Sequence, residues 1–198
     1  MRGLRRLVRE GAELCRFFSR ANRARRTVVF YSERATYHPY LEGLIDALLA
    51  TSELPIAYIT SDERDPILSA SSDRVRAFCF KTLLPFVILF LDAKVLVMTM
   101  PDLHRFHIRR SVRGAHHVYV FHAMVSTHMI YPRGAFDHYD TIFCVGPHHL
   151  AELRRAEALD RRPAKRLVEA GYGRLERLYE DHRPLVDRPS RQEGIERD

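Results

Sequence analysis

The stretch TIFCVGPHHLAELRRAEALDRRPAKRLVEA, residues 141–170, contains a strand, a helix and a second strand in immediate succession. Thr141–Val145 (TIFCV) is a short apolar run rich in β-formers. Pro147 opens a helix that runs to about Ala158, at a position where its missing N–H has no intrahelical partner to lose. Arg166–Ala170 (RLVEA) is the next strand. Two strands joined through a helix can pair in parallel, because the crossover returns the chain to the starting edge of the sheet.

The same alternation extends in both directions. Thr27–Tyr31 (TVVFY), Leu54–Thr60 (LPIAYIT), Val75–Phe80, Lys94–Met98 (KVLVM) and His116–Phe121 read as strands. His38–Ala50 carries Tyr40, Leu41, Leu44, Ile45, Leu48 and Leu49 at helical spacing, and Leu83–Leu91 is an apolar segment short enough to be a buried helix. Gly171-Tyr-Gly precedes one more helix start. The pattern predicts an α/β fold with a doubly wound, mostly parallel, Rossmann-like sheet.

The chain of 198 residues has a formal charge of +7, and that charge is local. Residues 1–26 hold nine arginines and two glutamates; residues 27–198 hold 23 basic and 23 acidic side chains. Three parts are therefore expected: a basic amphipathic helix within 1–26, a Rossmann-like domain over 27–180, and a linker or tail over 181–198, where Pro184, Pro189 and scattered charges leave few apolar residues. Along residues 4–18, Leu4, Leu7, Val8, Leu14, Cys15 and Phe18 form one stripe among arginines. Such a helix can lie on an anionic membrane surface, pack on its own domain, or bind nucleic acid. No aromatic interleaving or RNA-binding motif accompanies it, so nucleic acid is not expected.

The three cysteines, Cys15, Cys79 and Cys144, fit neither a zinc motif nor a disulfide framework, and Cys79 and Cys144 lie in strand-like runs as expected for buried thiols in a reducing compartment. The N-terminus lacks the apolar core of a signal peptide. Leu83–Leu91 is too short to span a bilayer, which takes about 20 residues.

Nine of the eleven histidines fall between His104 and His149. The run Val118–Phe121 ends at His122, and ligands of open α/β sheets bind beyond the carboxyl ends of strands. A histidine there is a candidate general base near neutral pH. Ser126, Thr127 and His128 follow in the same turn, although Ser126 lacks the G-x-S-x-G context of a nucleophile. In the loop after Met98, Arg109 and Arg110 are candidate phosphate contacts, and His104 and His107 lie beside them without a metal-binding motif. Gly146-Pro-His-His149 opens a helix but contains no dinucleotide fingerprint, so no cofactor is expected. Tyr31-Ser-Glu33 ends a strand at the same edge and could contact substrate or cap the next helix.

Phe121-His122, Gly134-Ala-Phe-Asp-His-Tyr-Asp140, Phe143-Cys-Val-Gly-Pro-His148 and Glu169-Ala-Gly-Tyr-Gly-Arg-Leu175, in that order, resemble the CDP-glycerol glycerophosphotransferase family of teichoic-acid-type polymerases. The resemblance covers about Thr27 to Tyr179. It implies a GT-B architecture of two Rossmann-like domains, of which this chain would be the N-terminal, acceptor-side one. It implies CDP-glycerol as donor, an anionic, lipid-linked glycerol phosphate polymer as acceptor, and His122 as the base that activates the acceptor hydroxyl. Of the family's Trp-His-Gly-Thr segment only the histidine is retained; Phe121 stands for Trp and Ala123 for Gly, as in a divergent branch.

The donor-binding C-terminal domain that the resemblance implies is expected to be missing from this chain or supplied separately. The expectation is therefore an acceptor-binding half that works with a separate donor domain, or a non-catalytic binding module. A nucleotide-sugar glycosyltransferase or epimerase half is a further alternative. The lipid-linked acceptor and the basic helix together predict a cytoplasmic protein peripheral to the inner face of the cell membrane.

Overall fold

The computed structural model describes residues 2–70, 72–104 and 107–186. Helix α1 (Arg2–Phe18) leads into strand β1 (Val28–Ser32), followed by α2 (His38–Thr51), β2 (Ile56–Thr60), β3 (Val75–Cys79), α3 (Leu84–Leu89), β4 (Val95–Met98) and β5 (His116–Val120). A single helical turn α4 (Thr127–Ile130), β6 (Thr141–Cys144), α5 (Pro147–Leu159), β7 (Arg166–Glu169) and α6 (Gly173–Val186) complete the order. The seven strands form one all-parallel sheet in the order β3-β2-β1-β4-β5-β6-β7. This is a Rossmann-like, doubly wound α/β fold.

Alternate residues of each central strand enter opposite layers, as the two-residue side-chain period of a strand requires. Val29, Tyr31, Ala57, Ile59, Leu96, Met98, Tyr119 and Ile142 join a core with α1, α3 and α5 through Phe17, Leu84, Val87, Ile88 and Leu153. Phe30, Ile56, Tyr58, Val97, Val118 and Val120 face the other side, against Leu41 and Ile45 of α2. Both faces are apolar, which is why the strands read as runs rather than as alternations.

The N-terminal helix divides in two. Its second half belongs to the folded body: Phe17 is buried, edge-on to Phe78 and Phe80 at 5.0 and 5.8 Å. Buried Glu10 accepts the Thr82 and Leu83 N–H groups at 3.2 and 2.8 Å, satisfying donors at the start of α3. The buried Arg26 fork, just after the helix, meets Asp92 at 2.6 and 3.0 Å. The first half is different, with Leu4 70%, Leu7 44% and Val8 68% exposed. The expected stripe is thus split, with Leu14 and Phe18 packed on the core and Cys15 exposed. Cys144 is buried as expected, whereas Cys79 is half-buried; burial pushes both thiols up to about 11.

At the other end the sequence reading requires correction. Residues expected to begin a tail at 181 continue α6 to Val186. Ion pairs hold this helix to α2, from Arg177 to Glu42 and to Asp46, the latter at 3.0 Å, and Arg174 donates to the Tyr40 hydroxyl at 3.0 Å. Composition alone registered the missing apolar face and not these polar ties. Residues 187–198 of the expected tail lie outside the described residues.

Candidate functional site

Strand order reverses between β1 and β4, the crevice where ligands of doubly wound sheets bind. The carboxyl ends of β1, β4 and β5 deliver Glu33, Thr99 and His122 to this edge. Three tyrosines from elsewhere surround His122. The Tyr37 and Tyr40 rings approach it edge-on at 5.1 and 6.0 Å, and the Tyr172 hydroxyl donates to its carbonyl at 3.1 Å. Tyr172 follows Gly171, whose φ of +73° favours glycine; a Cβ there would also lie 2.7 Å from Glu176 Oε1.

The His122 ring is half-buried, and its Nδ1 is buried without a hydrogen-bond partner. Burial pulls its pKa below the usual imidazole value, against a hydrogen bond to the Thr99 backbone that favours the protonated form. The ring is therefore neutral at pH 7 and able to accept a proton. Thr99 is itself buried with an unpartnered Oγ1. Two polar groups without partners thus sit at the ends of adjacent strands, an arrangement seldom left unexplained in a folded interior. Nearby, burial raises the Glu33 carboxyl above its ordinary value, with Arg34 opposing the shift. The loop beyond β4 holds Asp102 and His104 at φ of 61° and 74°, a left-handed conformation costly for such residues.

The other expected site residues are placed elsewhere. The Arg110 guanidinium contacts the His138 carbonyl at 2.6 Å and Asp140 Oδ2 at 2.9 Å. Asp140 immediately precedes β6, so Arg110 lies at the amino edge of the sheet, about five strand residues or roughly 16 Å from His122. Arg109 beside it is exposed. The structure therefore does not bring these arginines to the candidate base. The loop runs from the carboxyl edge, where His107 lies, to the amino edge where β5 begins, and the two arginines fall in its returning half. His104 stacks on His138 with ring centres 4.3 Å apart.

Ser126, Thr127 and His128 are gathered by Glu152, a residue of α5 that the sequence reading missed. Glu152 accepts Ser126 Oγ at 2.8 Å, the Thr127 N–H at 2.5 Å and Thr127 Oγ1 at 2.6 Å, and these bonds hold its carboxyl down at about 2 against the opposing effect of burial. The arrangement caps the single turn of α4. His149 is likewise structural, with Nε2 on the Val125 carbonyl at 2.8 Å and its ring against Phe121 at 4.1 Å. Among the described residues no group of three or more His, Cys, Asp or Glu side chains is placed to hold a metal ion.

The tyrosines around His122 and the partnerless Thr99 also escaped the sequence reading. Tyr172, set between two glycines, carried the only local signal. Comparison of the chain with protein-family models, curated proteins and solved structures finds no match.

Proposed function

We propose that this chain is the acceptor-binding half of a glycerophosphotransferase-type transferase, with His122 as its general base. The observation that carries the reading is an imidazole at the end of β5, beside the switch point, with a buried and unpartnered Nδ1 and a pKa lowered by burial. The ordered resemblance along the chain supports the choice of reaction. A glycerol hydroxyl of the acceptor attacks the β-phosphorus of CDP-glycerol, forming a new P–O bond. The bond between that phosphorus and the bridging oxygen breaks, and CMP leaves with the electron pair. His122 takes the hydroxyl proton and returns it to solvent once CMP has departed. Nδ1 is buried and the Tyr37 and Tyr40 rings lie edge-on to the imidazole, so the acceptor reaches it only with a local rearrangement. The donor is presented by a second Rossmann-like domain or chain facing the same edge.

The exposed first half of α1 supports peripheral attachment to the inner membrane face. Leu4, Leu7 and Val8 would enter the interface while the arginines meet anionic headgroups. Among the described residues no helix is long and apolar enough to cross a membrane. Co-sedimentation with anionic vesicles is expected to weaken with salt and with Leu4→Asp/Val8→Asp; equal binding to neutral vesicles removes this part of the reading.

The test of transfer is CMP release from CDP-glycerol on membranes bearing glycerol phosphate polymer, with the donor-binding domain supplied in the same chain or as a partner. His122→Ala is expected to lower the rate by about 10²–10⁴-fold. An equal rate in the variant overturns the base assignment. No release by the wild-type protein with the donor-binding domain present, while acceptor is still bound, makes it a binding module.

A further inference from the structure

Strand β3 is the outermost strand on one side of the sheet, and its outward main chain is only partly met. The Ile56 N–H donates to the Arg74 carbonyl at 2.7 Å and the Phe80 N–H to the Thr60 carbonyl at 2.9 Å, so the even-numbered residues of this segment turn their main chain to β2. The alternate residues of a parallel ladder, here Val75, Ala77 and Cys79, then point away. Ser72 closes the first of these. It donates its N–H to the Val75 carbonyl at 3.3 Å and accepts the Val75 N–H on Oγ at 2.9 Å. Ala77 and Cys79 have no such closure among the described residues. Two successive rungs, each with one N–H and one C=O, are left as a template for a further strand.

A groove of about 360 Å³ borders this strand, and its two sides differ. Val75 and Ala77 pack on the α2 side of the sheet, and with Leu68 they give the groove an apolar wall. Arg76 lies on the opposite, α1 side, as the two-residue period of a strand requires, and Arg16 of α1 and Arg25 join it in the lining. The Arg16 guanidinium sits 5.1 Å from the centre of the Phe78 ring on that same side. Among the described residues Asp73 is the one carboxylate of the lining, and Arg25 bonds its main-chain carbonyl, at 2.9 Å. Arg16 pairs with Glu13 outside the groove. Arg25 and Arg76 make no ion pair among the described residues, and Arg25 Nε is buried without a hydrogen-bond partner. The groove is therefore cationic on one side and apolar on the other, with open main-chain rungs between.

We infer that β3 captures an extended peptide of a partner protein, with acidic and apolar residues in alternation, as an eighth strand of the sheet. The open rungs recognise an extended main chain, which is the source of affinity in strand addition, and the pockets beside them select its side chains. Successive side chains of the added strand point to opposite faces. The acidic ones meet Arg16, Arg25 and Arg76, whose forks suit carboxylates, and the apolar ones cover Leu68, Val75 and Ala77. A second copy of this chain is the wrong occupant, because pairing of two β3 strands sets the same arginines against each other, and like charges across a ladder destabilise it. The groove lies four strands, roughly 19 Å, from β5, so the inference stands apart from the chemistry at His122.

The experiment is a fluorescence-anisotropy titration of the full chain with a labelled peptide of alternating Glu and Val. Binding is expected for this peptide and not for the Lys–Val counterpart. Arg25→Ala and Arg76→Ala are each expected to weaken it about tenfold, the loss of one charge-assisted hydrogen bond. Ala77→Pro removes an outward N–H and leaves the bonds to β2 in place, so it is expected to abolish binding. Circular dichroism and melting check the fold of the variants. Peptides N-methylated on all Glu or on all Val residues test the rungs with the wild-type chain, and one of the two sets is expected not to bind. Arg155→Ala, on α5, leaves affinity unaltered. Absence of binding, equal binding of the Lys–Val peptide, or binding that survives both N-methylated sets overturns the inference. Dependence on the arginines without dependence on the rungs marks a general polyanion patch and overturns it as well.

Discussion

His117 at the start of β5 and His122 just past its end show how differently the two edges of one sheet treat the same side chain. His117 is fully buried, with Nδ1 on the Ala115 carbonyl at 2.8 Å and its N–H on Asp140 at 2.8 Å. Around it Arg110 clamps Asp140, and the His116 ring bonds Thr141 Oγ1 at 2.8 Å. Each histidine leaves one ring nitrogen without a partner, Nε2 in His117 and Nδ1 in His122. The first is sealed in the interior, whereas the second belongs to a half-buried ring among tyrosines at the carboxyl edge. The amino edge is closed by long-range polar contacts, and the carboxyl edge has chemistry left over. Substitutions at the amino edge should therefore act on stability, and those at and beside His122 on function.

The largest expected effect tests that division directly. His122→Ala should cost about 10²–10⁴-fold in CMP release, equivalent to about 2.7–5.5 kcal/mol in the barrier, while urea unfolding at pH 7 changes far less. A variant that loses rate only because it unfolds would place His122 with His117 as a structural residue.

The next effect belongs to His117, whose pKa burial pulls down to about 4. The unfolded chain takes up a proton on this ring near pH 6.5, the folded chain only near pH 4. Its contribution to stability is intact above pH 6.5 and is lost progressively as pH falls to 4, by about 3 kcal/mol in all. His122, His149, His104 and His138 are shifted in the same direction and steepen the slope. Urea midpoints from pH 7 to pH 4 measure it, and His117→Asn should flatten the largest share. An unchanged slope in that variant would show that the amino edge is not where the buried histidine matters.

What could be read in advance follows the same physics. Strand and helix positions were legible because apolar period and turn residues act locally, and Thr141–Val145 or Arg166–Ala170 needed no knowledge of their neighbours. The position of His122 at a strand end was legible for that reason as well. The contacts of Arg110, Glu10 and Glu152 were not, since they join residues 30, 72 or 73, and 25 or 26 positions apart. Such pairings depend on which strands are neighbours, and alternation of elements leaves strand order open. Arg34, Arg64 and Lys81 likewise follow three different strands, and only the order β3-β2-β1-β4 brings them to one edge of the sheet. At the C-terminus, residues 181–186 looked like a tail because α6 is held by Arg174 and Arg177 rather than by a buried apolar stripe.

A smaller effect is expected at Asp140, whose carboxyl is held below its ordinary value by Arg110 and the His117 N–H against the opposing effect of burial. Asp140→Asn keeps one acceptor oxygen and loses the ion pair in a partly exposed position, so about 1 kcal/mol of stability is at stake. That contribution is present above the ordinary carboxylate range and is lost as pH falls through it. CMP release by the folded variant should not change, and a loss of rate without unfolding would break the separation of the two edges.

The smallest effect is predicted for His128, although its surroundings resemble catalytic machinery most. Ser126 Oγ lies 2.8 Å from His128 Nδ1, and Glu152 Oε1 lies 3.4 Å from the same nitrogen. A serine–histidine–carboxylate relay needs the serine and the carboxylate on opposite ring nitrogens, so that one orients the ring while the other passes its proton. Here both meet Nδ1, and Ser126 also donates straight to Glu152 at 2.8 Å, bypassing the ring. The His128 side chain is 71% exposed and holds nothing else in place. His128→Ala should therefore shift stability by less than about 0.5 kcal/mol and leave CMP release unchanged. Glu152→Gln, which weakens the cap of α4, should cost about 1–2 kcal/mol in the same urea assay. If His128→Ala instead abolishes transfer while Glu152→Gln is silent, the turn after β5 is part of the working site, and the carboxyl edge holds a second titrating group where the geometry leaves only His122.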